Sequence, residues 1–291
     1  MYPSRFNYES PKTIEEAIAL LTKGNGEAKI LAGGMSLIPM MKLRFASPEM
    51  LVDINNIPNL NYHRVDADGT FHIGALCRHS DLEKSSILAQ HQPTLAATAP
   101  LVADPIVRNR GTFVGSVCHA DPQGDWASAM IALDGMIVAQ GPKGRRTIAV
   151  RDFVTGPFQN VLASNEIAIE AIIPATTGTR FGGYLKLERR IGDFATAGVA
   201  VALELSGSSV IRAGIGLTGV GSSTVNATDA AQSLVGSPLT SEAIERAADL
   251  AAQAAQPRSD HRGSAAYKKQ VVRTFVARIL TEINSTKTKA A

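Results

Sequence analysis

Lys29-Ile30-Leu31-Ala32-Gly33-Gly34-Met35-Ser36 is the stretch that decides how this chain is read. An apolar strand, Lys29 to Ala32, runs into paired glycines with a small hydroxyl behind them. Where side chains are missing, backbone N–H groups can face an anion directly, and a pyrophosphate is the anion such a nest suits. The sequel, Leu37 to Leu43 with Pro39 near its start, predicts a short helix. The whole unit therefore reads as strand, glycine turn, helix.

On the N-terminal side, Thr13 followed by Glu16 is a capping box opening a helix from Ile14 to Leu21, with Gly24 and Gly26 stopping it. On the other side, Leu51 to Ile54 predicts a second strand that ends at Asn55, Asn56 and Pro58. Residues 1–58 thus form a βαβ-like lobe. A second lobe, 59–177, opens with a strand at Phe71 to Ala75 and helices at Ser80 to Leu88 and Pro93 to Val102. It continues through a glycine-punctuated loop from Arg108 to Pro122 and a buried helix from Asp125 to Leu133. Strands follow at Met136 to Gln140, Thr147 to Val150 and Ile167 to Ile173, and Pro174 to Gly178 reads as a linker. Residues 178–291 make a C-terminal domain: antiparallel strands at Gly182 to Leu187, Ala195 to Leu205 and Ser209 to Gly219, then helices at Ser241 to Ala255 and Tyr267 to Ile283. The class is α+β.

Composition narrows the function. The 291 residues are 45% hydrophobic and 19% charged, ordinary for a globular chain. No apolar run reaches the ~20 residues of a membrane span, and the N-terminus lacks the order of a signal peptide, so a cytoplasmic location is expected. Cys77 and Cys118 stand far apart without a CxxC, which argues against a disulfide framework, a zinc site or an iron–sulfur cluster held by this chain. The net charge is +3, yet residues 256–291 carry eight Lys or Arg against Asp260 and Glu282, giving +6 there and −3 elsewhere. That segment reads either as the solvated face of a terminal helix or as a docking surface for an acidic partner. Only Tyr267 and Phe275 interleave with its basic residues, which argues against nucleic acid.

Gly214-Ile215-Gly216-Leu217-Thr218-Gly219 matches the GxGxxG dinucleotide fingerprint, but the residues after it, Val220 to Asn226, are β-branched and hydroxyl-rich and open no helix. A glycine-rich strand packed against a neighbour accounts for it better. A second glycine loop, Gly111-Thr112-Phe113-Val114-Gly115-Ser116, is followed by Asp121 and Asp125. One nest per lobe would grip a diphosphate from both sides, with the Ser36, Thr112 and Ser116 hydroxyls adding hydrogen bonds. Each loop taken singly is also compatible with a plain turn.

Three segments carry a resemblance: AGGMSLIPMMKLR at 32–44, RNRGTFVGSVCHADPQGDWASA at 108–129 and KLERRIGDFATAGVAVAL at 186–203. They resemble the medium, FAD-binding subunit of the molybdenum hydroxylases, most closely its carbon monoxide dehydrogenase branch, over essentially the whole chain. The resemblance implies a two-lobed FAD-binding fold of the PCMH type, vanillyl-alcohol-oxidase-like, followed by a C-terminal α+β domain. FAD would lie between the lobes, its pyrophosphate on Lys29, Ile30, Leu31, Ala32, Gly33, Gly34, Met35 and Ser36 and on Thr112, Val114, Gly115 and Ser116. Asp125 would hold the sugar part, Lys186 would sit near the flavin, and Phe194 would approach the ring. The same resemblance implies a small iron–sulfur subunit with two [2Fe–2S] clusters, a large molybdenum-pterin subunit, a dimer of heterotrimers and an external electron acceptor. No catalytic acid or base is expected in this chain; His119, Asp121 and Asp193 read mainly as loop architecture, and Trp126 as core.

In such subunits the second loop usually reads Thr-Ile-Gly-Gly, whereas here it is Thr112-Phe113-Val114-Gly115. If Val114 has positive φ, its side chain costs at least ~1–2 kcal/mol there, and Val114→Gly should tighten FAD; at negative φ valine is tolerated. Met35 stands where relatives often carry His or Gln, and Phe194 lacks a Tyr hydroxyl. Two other classes stay open on sequence: an assembly subunit that has lost flavin, and a self-sufficient FAD oxidase. Within the family, N-heteroaromatic hydroxylation remains an alternative to carbon monoxide oxidation.

Overall fold

The first sheet grows around the opening segment. The structure, a computed structural model, describes residues 2–290, with side chains through 287. In chain order it begins with β1 (Asn7–Glu9), α1 (Ile14–Lys23), β2 (Ala28–Leu31), α2 (Leu37–Lys42) and β3 (Met50–Asp53). The strands form a three-stranded parallel sheet in the order β1-β3-β2. Thr13 caps α1 by accepting the Glu16 N–H at 3.1 Å, and Glu16 reaches back to the Lys12 N–H at 2.7 Å. The buried stripe Ala17, Ile18 and Leu21 packs with Ala28 and Val52, so the amphipathic period of α1 seats it on the sheet. Both predicted strands lie one residue further toward the N-terminus than expected. Ile54 leaves β3 for a single 3-10 turn, Ile54–Asn56, capped by Asp53. The three-residue β1 carried too short a pattern to be read from sequence.

A second sheet follows. Its elements are β4 (His63–Val65), β5 (Phe71–Gly74), α3 (His79–Glu83), α4 (Ser86–His91), α5 (Pro93–Thr98), α6 (Pro105–Arg108), α7 (Phe113–His119) and α8 (Asp125–Ala132). Then come β6 (Met136–Gly141), β7 (Gly144–Ala149), α9 (Val150–Phe153), the small hairpin β8 (Val154–Gly156) and β9 (Gln159–Asn160), and β10 (Ile167–Ile173). The five long-sheet strands run antiparallel in the order β4-β5-β10-β6-β7. Trp126, Phe113, Phe71 and Phe153 fill the core between this sheet and the helices. The helix expected over Ser80 to Leu88 is two helices, because the Ser85 hydroxyl takes the Leu88 N–H at 3.0 Å and starts a new one. The expected loop from Arg108 to Pro122 contains a helix, α7.

After the linker, whose Thr177 and Gly178 N–H groups both donate to Glu204 at 2.6 Å, β11 (Thr179–Leu187), β12 (Ala197–Ser206), β13 (Ser209–Thr218) and β14 (Val225–Asn226) form an antiparallel sheet in chain order. The helices α10 (Thr228–Gln232), α11 (Ser241–Ala254) and α12 (Ala265–Ala290) complete the chain. β12 is buried on both faces. Val199, Val201 and Leu203 face the core shared with α11 and α12, while Ala200 and Ala202 join the core of the second sheet, as period-two alternation requires.

The GxGxxG look-alike is β13 and the turn after it. A Cβ on Gly216 would come within 2.7 Å of the Ser128 carbonyl carbon, and one on Gly214 within 2.7 Å of that of Ala132. Both carbonyls belong to α8, so the glycines let a strand of the last sheet lie directly on a helix of the second lobe. Three of the eight basic residues of the C-terminal segment are ion-paired within the chain: Arg262 with Asp193, Lys268 with Asp260, and Arg273 with Glu245 and Asp249. Among the described residues no helix is long and apolar enough to cross a membrane.

Candidate functional site

The two glycine segments meet. A Cβ on Gly33 would lie 2.8 Å from the Gly111 Cα and clash with the Arg110 carbonyl, so only glycine allows this approach. Gly34 has φ +75°, the turn that redirects the chain from β2 into α2. A side-chain network locks the pair. Asn55 Nδ2 donates to the Ala32 carbonyl at 2.8 Å, and Arg78 donates to Asn55 Oδ1 and to the Arg110 carbonyl, each at 2.6 Å. Asp53 in turn orients Asn55, accepting its backbone N–H at 2.9 Å. Neither Arg78 nor Asn55 was singled out from sequence, where Asn55 read only as a strand breaker. Its offset directly after β3 was the available signal, because the end of the middle strand of a parallel sheet faces the turn after the neighbouring strand.

On the first segment Lys29, Ile30 and Leu31 are strand residues paired in register with Leu51, Val52 and Asp53. Ala32, Gly33, Gly34, Met35 and Ser36 form the turn. Ser36 is the N-terminal flank of α2 and makes no side-chain cap bond. The backbone bonds around it begin with Ile38 N–H to Gly34 O and Met40 N–H to Ser36 O, leaving the Ser36 and Leu37 N–H groups without an upstream carbonyl.

The second segment is the entry to α7. Thr112 is its N-cap, accepting the Gly115 N–H at 3.2 Å, and Ser116 N–H bonds the Thr112 carbonyl. Val114 lies in the first turn with negative φ, and its side chain is buried in the core beside Phe113 and Val117. The positive-φ alternative for Val114, with the gain in FAD affinity expected of Val114→Gly, is corrected accordingly: the residue packs the core and only its backbone can face the site.

Beneath this turn lies His79, buried, with its backbone N–H bonded to the Gly111 carbonyl at 3.1 Å. Trp126 Nε1 donates to His79 Nδ1 at 3.0 Å. Burial, reinforced by the nearby guanidinium groups of Arg108 and Arg78, brings the imidazole down to about 4. His79 is a neutral post under the second glycine segment.

Asp125, Lys186 and the segment before Phe194 form a second cluster. Asp125 opens α8 and is buried. Its Oδ1 accepts the Tyr184 hydroxyl at 2.6 Å and its Oδ2 lies 3.3 Å from Lys186 Nζ. Burial pushes this carboxyl above its ordinary value, against the pull of Lys186 and Tyr184. Lys186 Nζ also donates to the carbonyls of Leu101 and, at 3.2 Å, Asp193, and lies 3.2 Å from Glu188. Phe194 is half exposed, its N–H held by Asp193 Oδ1 and its carbonyl by Arg262. Asp121 accepts the Gln123 N–H, and the His119 ring tilts over Phe158, contacts that shape the surrounding loops. Among the described residues no group of three or more His, Cys, Asp or Glu could hold a metal.

A two-lobed α+β unit with glycine nests facing each other, followed by an antiparallel domain seated on α8, defines a class of dinucleotide-binding flavoprotein subunits. The chain belongs to the family of FAD-binding subunits of the molybdopterin dehydrogenases: residues 4–176 match the FAD binding domain in molybdopterin dehydrogenase, and residues 183–283 the CO dehydrogenase flavoprotein C-terminal domain. It is 42% identical to the carbon monoxide dehydrogenase medium chain of Hydrogenophaga pseudoflava over 96% of this chain and 97% of that one. It is 36% identical to the nicotine 6-hydroxylase medium subunit of Paenarthrobacter nicotinovorans, covering 94% and 96% respectively. Among solved structures it matches carbon monoxide dehydrogenase from Hydrogenophaga pseudoflava with a TM-score of 0.93 over 99% of both chains. It matches quinoline 2-oxidoreductase from Pseudomonas putida 86 with a TM-score of 0.90 at 28% identity, again over 99% of both.

Proposed function

We propose that this chain binds FAD between its two lobes and serves as the electron-transfer subunit of a molybdenum hydroxylase complex. The observation that carries this reading is the contact of Gly33 with Arg110 and Gly111, which brings two side-chain-free backbone turns to one place. Residues Ala32 to Ser36 supply N–H groups to one side of a pyrophosphate, and the α7 entry supplies those of Thr112 and Val114 to the other, the Phe113, Gly115 and Ser116 N–H groups being bonded within the protein. Lys29, Ile30 and Leu31 hold the first turn against β3. Arg78 and Asn55 fix the spacing of the two. Phe194, half exposed on a segment tethered to Lys186, offers an aromatic face to the ring, and Asp125 with Lys186 sets the charge beside it.

When bound, the flavin supplies exchange of electrons singly on one side and in pairs on the other. The chain's part is to bind and orient it and to shield one face; no residue here transfers a proton to substrate. In the complex we propose, a small subunit carries [2Fe–2S] clusters, a large subunit carries molybdenum-pterin, and two heterotrimers pair in the cytoplasm. The working division is 1–58 and 59–177 for the two FAD-binding lobes and 178–291 for the C-terminal domain. Carbon monoxide is the substrate favoured for the parent complex, since the relative at 42% identity is named for it; an N-heteroaromatic compound is the alternative. That pocket would lie in another chain.

The test is the absorption spectrum of the purified chain. Flavin bands that persist through gel filtration are expected, and a chain that stays colourless after incubation with FAD would refute the assignment.

A further inference from the structure

Arg262 lies in the basic segment 256–291, yet its side chain is only 13% exposed and turns inward. The turn that carries it, just ahead of α12, is closed by Asp260 and Gly263, each N–H donating to the other's carbonyl at 3.1 Å. Asp260 Oδ1 accepts the Arg262 N–H at 2.8 Å, and its Oδ2 accepts Lys268 Nζ at 2.7 Å from the first turn of α12. Lys268 is buried and donates as well to the Arg258 carbonyl at 3.1 Å. The base of the Arg262 side chain is therefore fixed to a helix.

From that base the guanidinium reaches the connection between β11 and β12. Nη1 donates to the Phe194 carbonyl at 2.7 Å, across 68 positions of chain, and Nη2 to Asp193 Oδ1 at 3.1 Å. The same Oδ1 accepts the Phe194 N–H at 2.8 Å, and Lys186 Nζ donates to the Asp193 carbonyl at 3.2 Å. Three successive backbone groups, the Asp193 carbonyl and the N–H and carbonyl of Phe194, are thus held by side chains in an irregular connection whose backbone water alone could satisfy. What this clamped backbone presents is a half-exposed phenyl ring. An aromatic side chain whose own backbone is locked has few arrangements left to lose, which is how a side chain is readied for a ligand.

We propose that Arg262 is a positioning residue for the flavin: by holding the Phe194 carbonyl and the Asp193 carboxylate together it fixes the angle at which Phe194 meets the ring. The inference rests on the FAD reading for what Phe194 faces. The turn ahead of the last helix thereby sets the surroundings of a cofactor bound by the first two lobes.

The test uses the full chain loaded with FAD, with Arg262→Gln, Phe194→Ala and the double variant. Phe194→Ala should weaken FAD by about three- to tenfold, the range for one aromatic contact, and alter the circular dichroism of the visible flavin bands. Arg262→Gln should bring the same spectral change with an affinity loss no larger. Adding it to Phe194→Ala should change neither quantity further, because a residue acting through Phe194 then has nothing left to act on. Amide exchange in residues 188–196 should quicken in Arg262→Gln with or without flavin. Unchanged dichroism in either single variant overturns the proposal. So do additive losses, which would assign the effect to the charge of Arg262 itself, and unchanged exchange, which would deny the clamp. If Arg262→Gln does not fold, Arg262→Lys, which keeps the charge but lacks the fork that reaches both acceptors, is read by the same criteria. A wild-type chain that takes up no FAD refutes the flavin reading instead, and the exchange measurement still decides whether Arg262 holds Phe194.

Discussion

Trp126 Nε1 donates to Nδ1 of His79 at 3.0 Å, and because an indole can only donate, the neutral imidazole carries its own proton on Nε2. The chain's one tryptophan therefore selects the tautomer of a histidine buried under the second glycine segment.

This pair makes stability depend on pH. Burial lowers the His79 value from 6.5 to about 4, so between those values the unfolded chain binds the proton and the folded one does not. The His79 contribution is intact above pH 6.5 and is lost as pH falls toward 4, by up to about 3 kcal/mol. Denaturant midpoints measured from pH 7 to 4.5 should decline more steeply for wild type than for His79→Gln; parallel curves would contradict this account.

Gly33→Ala should separate the two lobes where they touch, since its Cβ would stand 2.8 Å from the Gly111 Cα. The expected result is FAD affinity about tenfold weaker or worse, one decade for each ~1.4 kcal/mol lost, measured by fluorescence titration. Gly26→Ala, at a turn where a Cβ meets nothing within 4 Å but φ is +95°, should cost stability through backbone strain while leaving FAD affinity near wild type, and serves as the control for a strained glycine away from the contact.

Val114→Gly should not tighten the cofactor. It empties a core site at 2% exposure and puts glycine in a helix, a combined loss of about 2–3 kcal/mol. Urea unfolding of the two proteins checks the loss, and FAD titration checks the absence of a gain.

Removing one member of the Asp125–Lys186 pair should be costly. Asp125→Ala leaves a buried ammonium facing fewer acceptors, and breaking a buried pair of this kind costs about 3–5 kcal/mol. Lys186→Met, which removes the other charge, should lose the flavin spectrum as well as stability. A Lys186→Met protein with wild-type FAD affinity would take Lys186 out of the cofactor's surroundings.

Much of this architecture was visible in residue order. The capping box at Thr13, the parallel unit around Gly33, β10 at Ile167–Ile173 and the antiparallel strands after the linker all followed from periodicity and turn residues. What escaped has physical reasons. α7 looked like a loop because Gly115 interrupts it, yet a Cβ at that position would sit 2.5 Å from the Thr112 cap hydroxyl, so the glycine serves the helix start. β1 and β4 have three residues each, too few for alternation to register. Within the site, the glycines were legible because they leave a compositional mark. Arg78 and His79 were not, since their roles come from partners 32 and 47 positions away along the chain.

The seat of β13 on α8 has a consequence for modularity. Gly214 and Gly216 press against the carbonyls of Ala132 and Ser128, and the same helix begins with Asp125, whose carboxylate is held by Tyr184 and Lys186 from β11. The cofactor site proposed above therefore draws on both halves of the chain. Cut at the linker, the first 177 residues would lose the partners of Asp125 and uncover the helix that those glycines were chosen to meet. Any exchange of one half for a relative's would have to preserve both the glycine contacts on α8 and the partners of Asp125.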